Sequence, residues 1–206
     1  EVRALEALEL LAEGTARWLH AAGLLVHGWG HTGRFGDVIA WLDRLGGHAP
    51  VDRETAEALA RALLHCSAAM MFASRPDVAG RALEHARVRI APLAGDAPLL
   101  AAHIEHARGM WSMYGGDIAE AYEAFSAAVG HYETIGDWRS ALVQRSNAAL
   151  ALMELGEDAE AESLLRGALS LADRMGIELV GDHVRGYLRR NLGRVLRQRG
   201  ALSEAR

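Results

Sequence analysis

Two histidine pairs are the residues of this 206-residue chain with the most obvious capacity for chemistry. His27-x-x-x-His31 and His103-x-x-His106 each place two imidazoles on one face of a helix, a spacing at which both can reach one metal ion. A closed site needs further ligands and groups that orient them. No carboxylate is spaced to serve, since Glu105 points elsewhere by helical phase. The sequence therefore predicts no metal and no cofactor, and it reads the histidines as surface groups whose charge changes near pH ~6.5. A second cluster lies near the C-terminus, where Arg185, Arg189, Arg190, Arg194, Arg197 and Arg199 are opposed only by Asp182. Residues 190, 194 and 197 share one helical face. They are either an anion-binding stripe or a solvated face paired with Glu157, Glu160 and Glu162. No Gly-rich phosphate loop, nucleophile elbow, His-Glu-x-x-His or Cys-His pairing is present, so the expectation is a protein that is not an enzyme.

Composition narrows the classes further. Half of the residues are apolar and 24% are charged, which is globular composition rather than that of a disordered chain. A net charge of −5 argues against a general binder of nucleic acid or anionic membrane. No run of about 18 apolar residues occurs, and the first residues lack the pattern of a signal peptide, so a cytoplasmic location is expected. The single cysteine, Cys66, excludes an intrachain disulfide. All 22 basic residues are arginine; with abundant alanine, this points to a GC-rich bacterial genome.

The elements that must position these residues are helical. Ala, Leu, Arg and Glu dominate, and no stretch alternates as a strand would. Breaks recur at Gly33, Ser74, Gly116, Gly156 and Gly200, spaced by 41, 42, 40 and 44 residues. A fixed period of this size marks a repeat array. The same chemistry returns at fixed offsets. Five residues after each break come Val38, Ala79, Ala121, Ala161 and Ala205; nine after come Leu42, Leu83, Phe125 and Leu165. Twelve after come Leu45, Ala86, Ala128 and Ala168. Seven before come Val26, Ser67, Gly109, Ala149 and Gly193, and four before come Trp29, Met70, Ser112, Leu152 and Leu196. Small residues let helix backbones approach, and large ones fill the space between them.

This offset pattern resembles the tetratricopeptide repeat (TPR), with a small then a bulky residue in the first helix and Ala, bulky, Ala in the second. A period near 42 exceeds the family's usual length of about 34, which places the chain nearer the long-repeat arrays of bacterial signalling and transcriptional regulators. Arg108 stands where the family places Leu, and Ser112 where it prefers an aromatic. The resemblance implies an all-α fold of antiparallel helix hairpins stacked as a right-handed α-solenoid, with first helices lining a concave groove. Its groove positions carry over to His20, His27 and His31, then Arg61, Leu64, Met71 and Phe72. They continue with His103, His106, Met110, Met113 and Tyr114, then Val143, Ser146, Asn147, Leu150, Met153 and Glu154, and end at Tyr187, Arg190, Arg194 and Arg197. Methionine suits a surface that repacks around varied guests, and equally suits gaps between helices. Some members of the family clamp a C-terminal carboxylate. Asn147 matches one clamp position, but His106, Met110, Tyr187 and Asn191 occupy the others, so that activity is not expected. Cys66 falls where the family buries a small residue.

Helices are expected at 2–13, 16–31, 35–45, 52–73, 76–91, 97–114, 117–135, 138–155, 157–175 and 182–199. Ser74-Arg75-Pro76-Asp77 reads as a capped start, and Asp96, Asp137 and Asp182 as caps. Gly46-Gly47, Gly95, Gly136 and Gly176 read as helix ends. Residues 1–14 read as the second helix of a truncated repeat. The helix pairs are 15–46, 52–95, 97–136 and 138–176, and 178–206 is an incomplete last repeat, so the array resembles a segment of a longer protein. The expected role is a scaffold for a peptide or partner domain, with self-association through uncapped ends a further possibility. The alternative is a sensor domain of a larger ATPase or transcriptional regulator that takes a small-molecule effector.

Overall fold

Short polar side chains set where the helices start. Thr15 accepts from the Trp18 amide at 3.3 Å. Asp52 and Thr55 close a reciprocal capping box, and Asp117 and Asp137 accept from the amides of Glu120 and Ser140 at 3.1 Å each. Each cap satisfies an amide that has no partner within its helix. The computed structural model describes residues 2–90, 97–176 and 183–201. Its described residues form ten helices and no strand. They are α1 (Val2–Leu10), α2 (Ala16–His31), α3 (Phe35–Gly46), α4 (Arg53–Phe72) and α5 (Pro76–Ile90), then α6 (Pro98–Gly115), α7 (Ile118–Thr134), α8 (Trp138–Glu154), α9 (Asp158–Arg174) and α10 (His183–Gln198). The expected helices are all present, with ends displaced by three residues at most.

The chain divides into two compact units, Glu1–Gly115 and Gly116–Arg206, and the division falls inside the helix pair expected at 97–136. In the first unit α2 packs against α3 and α4, and α4 packs against α5 and α6. Its core joins Trp18, Leu25, Leu42, Leu63, Met70 and Leu100. Cys66 is sealed in that core, and burial pushes its thiol up to about 12. A thiol held protonated in this way is inert. In the second unit α8 packs against α7, α9 and α10 around Leu142, Leu152, Leu165, Leu188 and Val195.

Two details of the breaks differ from expectation. Ser74 does not cap α5; that helix begins at Pro76, and Ser74 instead takes the left-handed conformation at φ 56°. Gly33, Gly116, Gly156 and Gly200 take the same conformation at the other breaks, at 75°, 89°, 82° and 76°. Gly47 stays right-handed at φ −74°, unlike Gly136 and Gly176, because the α3 end closes through its amide onto Arg44 and Leu45 carbonyls. The expected roles of Gly95, Asp96 and Asp182, and of a helix opening at 202–206, lie outside the described residues.

Candidate functional site

The approach of α2 to α4 builds the candidate face of the first unit. A Cβ on Gly23 would sit 3.3 Å from the Ala62 Cα, and one on Gly30 only 2.8 Å from the Ala69 Cβ. Small residues at both crossings bring the two helices close enough for side chains on their outer faces to touch. His27 from α2 meets His65 from α4 with ring centroids 4.6 Å apart. One turn on, His31 lies edge-on to His27, with their Nε2 atoms 3.2 Å apart. His65 is fixed by a 3.0 Å hydrogen bond from Nδ1 to the Gly23 carbonyl, which leaves its Nε2 without that proton in the neutral ring. Sequence reasoning misses His65. The available signal was its position four residues after Arg61, on the same face of α4.

A cleft of about 290 Å³ opens at this cluster, lined by His27, Gly30, His31, His65, Ala68, Ala69 and Phe72. Phe72 is 71% exposed at its rim. A second cleft of about 300 Å³ lies beside it between the same helices, with Arg17, His20, Glu54, Glu57 and Arg61 in its wall. His103 and His106 of α6 are half-buried. Desolvation, reinforced by the charges of Arg61, His106 and His65, pushes His103 down to about 4. Desolvation also lowers His65, against the hydrogen bond it donates to the Gly23 carbonyl, and lowers His27, where His31 adds to the effect. These rings are therefore neutral at pH 7. Among the described residues no three His, Cys, Asp or Glu side chains are grouped to hold a metal ion.

The remaining sequence candidates are placed unequally. Met110 and Met113 are half-buried and Tyr114 is exposed. Met71 is buried at 5% exposure in the core of the first unit, so it fills a gap between helices and is not open to a guest. Met153, at 4%, does the same in the second unit. Asn147 is also buried, and donates to Gln144 Oε1 at 3.2 Å. On α10, the Arg190 guanidinium stacks 4.5 Å from the Tyr187 ring centroid, and Arg194 reaches Glu154 of α8 only at 3.9 Å. Arg197 is exposed. Among the described residues neither Arg190 nor Arg197 has a carboxylate within ion-pair distance. Arg199 and Arg166 share Glu162, and Arg185 pairs with Asp173 at 3.1 Å, so among the described residues pairing with neighbouring acids is closest outside the stripe, within which only Arg194 reaches an acid.

Solved structures with the same arrangement of helices decide the fold. A single-site variant of a kinesin light chain-like protein from Podosopora anserina, built of nearly identical TPR-like repeats, superposes with a TM-score of 0.71. The match covers 95% of this chain and 92% of that one at 20% identity. The fold is that of TPR-like repeats. The unsubstituted protein matches with a TM-score of 0.70 at 19% identity, over 93% of this chain and 91% of that one. No protein-family model matches the chain, and neither does any curated protein. No helix among the described residues is long and apolar enough to cross a membrane.

Proposed function

We propose that the chain is a non-catalytic interaction module that holds a peptide or a partner domain against its first helices, within a larger cytoplasmic regulator of a bacterium. One observation carries this reading. On α2, α4 and α6, the side chains of His27, Arg61, Phe72, His103, His106 and Met110 remain partly or largely exposed outside a sealed core, beside two clefts between α2 and α4. Exposed aromatic and methionine surface next to fixed charge is the chemistry of a protein-binding face. A second reading, a sensor for a small-molecule effector, is supported by the volume of the His27–His65–Phe72 cleft, near the lower end of ligand-pocket sizes of about 300 Å³.

Capture of a partner by the immobilised protein, followed by Met110→Glu, tests the first reading. The variant is expected to lose capture at least tenfold with its helical circular dichroism unchanged. Capture that survives the substitution places the partner elsewhere. A thermal-shift screen separates the second reading: saturable stabilisation by a metabolite supports the sensor, and a flat screen beside a captured protein supports the scaffold.

A further inference from the structure

We propose that Arg61 is the centre of an oxyanion-binding site, taking a carboxylate or phosphate group of the guest between α2, α4 and α6. Arg61 is half-buried and lines both the larger cleft with Arg17 and His20 and a smaller one with Leu19, Leu24 and His65. Among the described residues no carboxylate lies within ion-pair distance of it. Glu57, one turn earlier on the same helix, is held by Arg53 at 2.9 Å. The groups around it are Arg17 and His20 from α2, Glu54, Glu57 and His65 from α4, and His103 from α6. Two carboxylates therefore face one permanent cation, a second arginine and a set of imidazoles.

A guanidinium partly withdrawn from water and lacking a counter-ion carries a desolvation cost that a bound anion offsets. Its planar fork fits a carboxylate or phosphate through two parallel hydrogen bonds. The charge of Arg61 is felt nearby: after desolvation, it is among the causes that lower the proton affinity of both His65 and His103. An anion seated on Arg61 cancels that repulsion, so binding the anion and protonating these rings reinforce each other. Affinity therefore rises as pH falls. This site deepens the reading of the first unit as a binding face, but it makes a separate claim about one chemical group.

The test follows His65 and His103 by NMR titration of the whole chain, at ionic strength matched with chloride. Sulfate stands in for phosphate and formate for carboxylate. In the wild type, at least one anion is expected to raise both midpoints saturably by about half a pH unit. The effect should vanish in Arg61→Gln and weaken in Arg61→Lys, which keeps the charge and loses the fork. The responding anion identifies the group. Unmoved midpoints with both anions, or an equal response in Arg61→Gln, overturn the site. Partner capture, measured separately with Met110→Glu, stands or falls independently of that result.

Discussion

His103 shows how a single residue of the face is tuned. Its ring is half-buried and lies near Arg61, His65 and His106, with Glu57 opposing them. Its midpoint is about 4 in the folded chain, against the ordinary 6.5 when unfolded. The unfolded chain therefore binds the proton first. Stability is complete above pH ~6.5 and is lost as pH falls toward 4, because the folded state leaves this ring neutral. The lowered midpoints of His65 and His27 act in the same direction. Unfolding free energies from urea titrations at pH 7 and pH 5 should differ by at most about 2 kcal/mol from His103 alone, before discount for its partial exposure. His103→Gln should flatten the difference while leaving the slope of the urea transition unchanged. An undiminished pH dependence in that variant would assign the effect to other groups.

At the scale of the element, the breaks and crossings decide where helices stop and how closely they lie. Ser74 holds the one left-handed position among these breaks that is not glycine, and a side chain there costs about 1 kcal/mol. Ser74→Gly is therefore expected to raise the thermal midpoint. Gly28 and Gly30, two residues apart in α2, should respond oppositely to alanine. A Cβ on Gly28 meets nothing within 4 Å, so Gly28→Ala gains about 0.5–1 kcal/mol from helix propensity. One on Gly30 collides with Ala69, so Gly30→Ala should destabilise and part His27 from His65. Equal midpoints for the two variants would mean that α2 and α4 do not cross so closely. The spacing of breaks and the recurrence of small and bulky positions made these helices legible, because period and packing are written in residue size. The face was less so. Carrying over groove positions brought in Met71, Met153 and Asn147, which are buried, and left out His65. Position on a helix fixes direction, whereas burial depends on how near the neighbouring helix comes, which between α2 and α4 is set by Gly23 and Gly30.

At the scale of the whole molecule, charge is distributed against its own average. The chain carries a net −5, yet α10 holds five arginines and no acid. A uniformly acidic surface would repel an acidic guest everywhere, so this helix, like Arg61 in the first unit, is a place where an acidic segment meets attraction rather than repulsion. Arg190 is held in place by the Tyr187 ring and Arg194 is only loosely drawn to Glu154, so among the described residues neither charge is consumed by a close internal ion pair. Replacing both by Gln should weaken capture of an acidic partner severalfold at low salt and flatten the dependence of its affinity on salt. The expected change is mainly in the association rate, since charges at a rim steer encounter more than they hold the complex. An affinity and salt slope that survive the double substitution would return α10 to the role of a solvated face. Binding, if it persisted, would then belong to the first unit, where the cation at stake is Arg61.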